Sequence, residues 1–352
     1  MQESGMFKRA ALLVLLCVSI AGWSSCGSTS SHYVYATSVN QVLAFREDPH
    51  SGVLTPVPGS PFATGNGARS AVLAPAKKFV YVANAGDNDI SLFTVSSSGA
   101  LSEVTPRTTT NGTPVFLAID PAGAYLYVAT TSPSNSISVF SISSSSGALT
   151  AVGSPFPIGV SATGMELTPS GNFLFVASAG APGLVSVFAV KAGVLSVVAQ
   201  NTVGTNPVGL ATDSGGSFLY VTNSLDNSIS SFSIGASGAL TQLSSFADLS
   251  TVPLALVVDP SGKYLYVANT GSNNITGYTL SSGALTVLST SPFGGISSPS
   301  SIAVDPNGRY LLVGSQSSAG IAVYRLDASN GTLSSPVTYS SGSSVTSIVV
   351  TD

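Results

Sequence analysis

The chain has 352 residues and a formal net charge of −4, and only 7% of its side chains are charged, against about 25% in an ordinary soluble domain. It carries no basic stripe, which excludes the electrostatic footprint of a nucleic-acid binder. Its two histidines and two cysteines exclude a three-histidine zinc centre and a disulfide framework.

Lys8 and Arg9 precede an apolar run from Ala10 to Trp23. That run is shorter than the ~20 residues needed to cross a bilayer, and has the flank and length of a secretory signal. Ser24-Ser25-Cys26-Gly27 follows and resembles a bacterial lipoprotein box, with Trp23 where an aliphatic residue is usual. The expected organisation is a signal peptide over residues 1–25 cleaved before Cys26, a lipid on Cys26, and a flexible tether over 26–31. Residues 32–352 would then form one exported domain, monomeric and held at the membrane only by its lipid.

A phrase of three beats then recurs seven times. Its first beat is a strand aromatic or Leu at Tyr33, Tyr81, Tyr127, Phe175, Tyr220, Tyr266 and Leu312. Its second is an aromatic at Phe45, Phe93, Phe140, Phe188, Phe232, Tyr278 and Tyr324. Its third is Gly-x-Leu, beginning at Gly52, Gly99, Gly147, Gly193, Gly238, Gly283 and Gly331. Short strands at a period of about 40–50 residues predict propeller blades.

The repeat from Pro253 to Ile296 is the clearest. Leu254–Val258, Tyr264–Asn269, Ile275–Leu280 and Ala284–Leu288 read as four antiparallel strands, with Thr290–Pro299 crossing to the next blade. Asp259-Pro260-Ser261-Gly262 suits a type I turn. It recurs at Asp120 and Asp305, and weakens at Thr168, Asp213 and most of all Ala74. No helical period appears, so the class is all-β. The first repeat opens on its second strand, whereas Val345 to Asp352 reads as a first strand without a blade. The two should pair and close a ring of seven four-stranded blades, hiding two sheet edges.

Tyr81-Val82-Ala83-Asn84, Tyr220-Val221-Thr222-Asn223 and Tyr266-Val267-Ala268-Asn269, together with Asp-Pro-Ser-Gly and Gly-Ala-Leu-Thr, resemble the YVTN repeats of bacterial surface propellers and the lactonase-type seven-bladed propellers. That family includes 6-phosphogluconolactonases and, more distantly, a muconate-lactonizing enzyme. The resemblance covers about residues 32–352 and implies a ligand site at the channel mouth. The mouth should lie on the face carrying the second-strand loops and the crossovers.

Charged groups on that face are the candidates. Arg69 and Arg107 fall in predicted crossovers, as does Asp248; Asp87, Asp89 and Asp226 fall in second-strand loops. Arg69 and Arg107 are candidate anion clamps, with Asp87 and Asp226 as further ligand-binding candidates. Asp87-Asn88-Asp89 lacks the spacing of a calcium loop. Glu166 sits inside a first strand, where other repeats have Val72, Ala118, Ala211, Val257 and Ala303. An acid there is costly unless hydrated or paired, which makes Glu166 the candidate catalytic base. His50 falls on the opposite face beside Arg46, Glu47 and Asp48, so a Ser-His-Asp triad is badly placed. No metal or cofactor is expected. The recurrent Asn84, Asn223 and Asn269 are expected to cap strand ends through backbone bonds. Two functions remain: a binding module at the cell envelope for a small molecule, glycan or protein, or a lactone hydrolase using Glu166, Arg69 and Arg107.

Overall fold

The computed structural model describes residues 32–248, 250–317 and 320–351. The signal segment, Cys26 and the tether lie outside them. Every described element is a strand, and the strands form seven antiparallel sheets. Blade two is typical, with Ala68–Leu73, Phe79–Asn84, Asp89–Val95 and Leu101–Thr109 paired in chain order from first to fourth strand. Blades one and three each add a two-residue strand, Phe62–Ala63 and Phe156–Pro157, against their third strands.

The second strands read as unbroken apolar runs because each packs on two neighbours. In blade two, Val80 and Val82 pack with Tyr35, Val42 and Ala44 of blade one. Phe79, Tyr81 and Ala83 pack with Leu117, Leu126, Val128 and Phe140 of blade three. A sheet covered on both faces has no solvent side to record as a polar alternation. The fourth strands lose this cover, and Leu101–Thr109 is largely solvent-accessible.

The turn after strand one is held by its first side chain. Asp259 accepts hydrogen bonds from the backbone N–H groups of Lys263 (2.9 Å) and Tyr264 (2.7 Å). Asp213, in a turn that looked weakened, accepts the same pair from Ser217 (2.7 Å) and Phe218 (2.6 Å). Ala74 has no such group, and there Lys77 takes the positive φ of 58° that glycine adopts in the other turns.

Gly-x-Leu proves to be an interblade lock. The Tyr35, Tyr81 and Tyr266 hydroxyls donate to the carbonyls of Gly99 (3.0 Å), Gly147 (2.8 Å) and Gly331 (2.7 Å) in the next blade. The same glycine lies flat on that strand's preceding aromatic: a β-carbon on Gly99, at φ 78°, would sit 2.2 Å from the Tyr33 ring. Gly99→Ala should therefore cost about 1–3 kcal/mol of stability from backbone strain and the displaced ring. Gly153 has φ 65° but nothing within 4 Å of a β-carbon, so Gly153→Ala should show the backbone part alone. Urea midpoints of the two variants make the comparison.

Two expectations need correction. The first beat of blade one is Tyr35, not Tyr33. Tyr35 is fully buried like Tyr81 and pairs in the same column. The loop that follows is two residues shorter, since Ser38 pairs directly with Gln41 whereas Asn84 pairs with Asp89. Asn84, Asn223 and Asn269 bond chiefly to side chains of the third strand, not to backbone. Asn84 Nδ2 reaches Ser91 Oγ at 2.9 Å, Asn223 Nδ2 reaches Ser230 Oγ at 3.0 Å and Asn269 Nδ2 reaches Thr276 Oγ1 at 2.7 Å.

The ring closes as expected. Val345–Val350 pairs with His32–Ser38 and supplies the first strand of blade one. Tyr33 N–H donates to Thr351 Oγ1 and Thr351 N–H to the Tyr33 carbonyl, both at 2.8 Å.

Candidate functional site

Each first strand runs from the crossover face to the turn face, so position along it measures depth in the channel. The second position around the ring holds Arg69, Val115, Thr163, Val208, Leu254, Ser300 and Thr346. The third is mostly small. A β-carbon on Gly164 would lie 2.0 Å from the Val208 carbonyl oxygen, because neighbouring first strands crowd together near the axis.

Around this crowded level lies a funnel of about 620 Å³, lined by residues of the second to fourth strand positions. Phe116, Met165, Val208, Leu210, Leu254 and Leu256 form its apolar wall, and Val39, Ala85 and Gln316 contribute from second-strand loops. Its hydroxyls already bond across the ring. Thr163 Oγ1 donates to the Pro207 carbonyl (2.6 Å) and Ser300 Oγ to that of Val345 (3.0 Å), while Thr346 Oγ1 lies 2.8 Å from Thr37 Oγ1 and 3.2 Å from the Ala68 carbonyl. Arg69 is the one charged residue among the described lining, and its side chain is exposed with no hydrogen bond or ion pair among the described residues.

Glu166 occupies the fifth strand position, one residue past Met165, where the described lining of the funnel ends. It is half-buried, turns toward blade five, and accepts a 3.3 Å hydrogen bond from Thr212 Oγ1. Burial pushes its carboxyl up to about 7, against a smaller opposing effect of the Thr212 bonds. Three strand positions separate it in depth from Arg69, about 10 Å at the usual rise.

Arg107 lies in the fourth strand of blade two, not in a crossover. Its Nε donates to Glu103 Oε1 at 2.7 Å, and its Nη1 lies 3.5 Å from Asp87 Oδ2 and 3.9 Å from Asp89 Oδ2. Asp87 also accepts from the Asn66 backbone N–H and side-chain amide, both at 2.8 Å. Those bonds, and then Arg107, hold its carboxyl below the usual range. Asp226 accepts from the Thr205 N–H, and Ser272 Oγ from the Thr251 N–H at 2.7 Å. All three side chains tie a second-strand loop to the crossover beside it. Arg107 and Asp87 thus meet on the flank of blade two; no hydrogen bond or ion pair among the described residues joins them to Arg69, Glu166 or Asp226.

On the opposite face is a buried group that sequence reasoning missed. Glu47 is fully buried, neither of its oxygens has a hydrogen-bond partner, and His32 Nδ1 lies 3.7 Å away. Asp305 lies 4.0 Å from the same imidazole nitrogen. Burial first, then Asp305 and Asp48, push Glu47 up to about 8. The signal was available: the other repeats place Val95, Ile142, Val190, Ile234, Leu280 and Leu326 there.

The sequence matches the family model "Lactonase, 7-bladed beta-propeller" over residues 32–163, 159–252 and 250–350. No curated protein matches it. Among solved structures, a Bacteroides fragilis protein named provisionally as a 6-phosphogluconolactonase superposes with TM-score 0.79 at 20% identity, covering 93% of this chain and 99% of its own. A periplasmic gluconolactonase of Pseudomonas aeruginosa gives 0.78 at 20% identity, covering 92% and 99%. At that identity these likenesses speak to the fold alone. With the model spanning nearly all of residues 32–350, the chain belongs to the seven-bladed lactonase propeller family.

Proposed function

We propose that the protein is an exported, lipid-anchored propeller that captures a small molecule in the channel mouth without hydrolysing it. The lining of the funnel carries this reading. Lactone hydrolysis needs a base to activate water and a cation to stabilise the oxyanion, both within reach of one carbonyl. The described lining supplies one cation, Arg69, and no carboxylate or imidazole. Arg107 is engaged by Glu103 on the flank of its blade. Export rests on the Lys8-Arg9 flank, the apolar run and Cys26, in keeping with the likeness to a periplasmic protein. Membership of a lactonase family does not by itself transfer the activity.

A second reading rests on Glu166. Burial holds its carboxyl at about 7, the range suited to a general base. A panel of aldonolactones and 6-phosphogluconolactone, offered to the full chain and to Glu166→Gln, separates the two. The binding reading expects hydrolysis at the buffer rate in both. Turnover in the wild type that disappears in Glu166→Gln would replace it with the hydrolase.

A further inference from the structure

Within that binding reading, we propose that the funnel selects a singly charged amphipathic carboxylate: one carboxylate head on an unbranched or aromatic apolar body. Three observations define the class. The first is charge. One guanidinium faces the cavity, and no other charged side chain is among the described lining, so a monoanion is matched and a dianion is left half-neutralised. Arg69 has no partner among the described residues, so its paired N–H donors remain open to the two oxygens of a carboxylate.

The second is the wall. Phe116, Met165, Leu210 and Leu256, at the third and fourth strand positions, lie deeper than Arg69, while Val208 and Leu254 line the cavity at its own level. A polyhydroxylated body placed against them would lose its bonds to water without replacement, which is unfavourable for every hydroxyl so buried. An alkyl chain or ring gains there by the same argument reversed.

The third is the state of the polar residues in between. The Thr163 and Ser300 hydroxyls donate to the carbonyls of Pro207 and Val345, and the Thr346 hydroxyl is engaged by oxygens of Thr37 and Ala68. These groups can accept a bond from a ligand but have none to donate. Sugar recognition needs several donors and acceptors fixed around one ring, and the described side chains of this lining offer donors only at Arg69 and the Gln316 amide. The cavity of about 620 Å³ lies within the 300–1,000 Å³ usual for small-molecule sites, so a body of eight to ten carbons fits with its head at the rim.

Calorimetric titration of the full chain with sodium octanoate, octanol and sodium gluconate tests the class, because the last two remove the head and the apolar body in turn. Octanoate should bind saturably, octanol more weakly, and gluconate not at all. Arg69→Gln should weaken octanoate at least tenfold and leave octanol unchanged, with Arg69→Lys in between. Added salt should weaken octanoate alone. Octanoate binding that is equal in wild type and Arg69→Gln overturns the assignment of the head. Gluconate binding that requires Arg69 overturns the amphipathic class while leaving the mouth a binding site. Saturation by none of the three overturns the amphipathic class, whereas the binding reading itself is overturned separately, by lactone turnover that Glu166→Gln abolishes.

Discussion

A chain ending at Ser343 should fail to run as a monomer, and should melt far below the full-length protein. Among the described residues, Val345–Val350 is the only first strand available to blade one. Val345 and Ile348 are buried in a cluster with Val34, Ala36, Leu312 and Ile321, which joins blades seven and one. Burying aliphatic side chains of this size contributes about 1.5–3 kcal/mol each. Losing the strand therefore removes an amount comparable with the 5–15 kcal/mol net stability of a typical domain. The backbone of Val34, Tyr35 and Ala36, fully buried in the intact ring, would become an apolar open edge, which recruits other strands. Light scattering after size exclusion reads the oligomer, and a peptide of residues 344–352 added in trans should raise the melting temperature by mass action. A truncated protein that stays monomeric with unchanged melting would show that the closing strand contributes little.

The blades were legible because the same physical demand recurs seven times. Each second strand packs on both neighbours and each Gly-x-Leu glycine lies on an aromatic ring, and four turns add an Asp that clamps two N–H groups. Registration failed only at Tyr33, where aromatics stand at both Tyr33 and Tyr35 and the shorter loop after Ser38 shifts the frame. The candidate site was legible in part. The crossover position of Arg69 and the anomaly of Glu166 follow from aligned repeats, and the structure sets one in the funnel and the other beneath its described lining. Asp87 and Asp226 read as open acids because an aspartate in a loop looks the same whether it meets a ligand or a neighbour. Their partners are the amides of Asn66 and Thr205, each 21 residues earlier, brought near by blade packing that no local pattern encodes. The funnel wall was illegible for the opposite reason: Met165, Leu210 and Leu256 carry the same apolar character as core residues.

Glu47 should make the protein less stable as the pH rises, the reverse of the usual behaviour of a structural carboxylate. Its folded-state value of about 8 lies above the ordinary 4.5, so between those values the folded chain binds more protons than the unfolded chain. Stability then falls with pH across that interval. The contribution is fully present below about 4.5 and is lost as the pH climbs through about 8. Burial is the leading cause, with Asp305 and Asp48 adding repulsion. Asp305 accepts from the N–H groups of Arg309 and Tyr310, both at 2.6 Å, which holds its carboxyl in place beside Glu47. Arg309 Nη1 bonds the Pro49 carbonyl at 3.3 Å instead of either acid. His32 Nδ1 lies 3.7 Å from Glu47. Melting temperatures at pH 5, 7 and 9 should fall steeply for the wild type and less for Glu47→Gln. Glu47→Leu, which restores the aliphatic character of the other six blades, should be the most stable of the three at pH 9, by an amount on the order of a few kcal/mol. If Glu47→Gln instead lowers melting at pH 7, an ion pair with His32 holds the carboxylate charged, and the sign of the argument reverses.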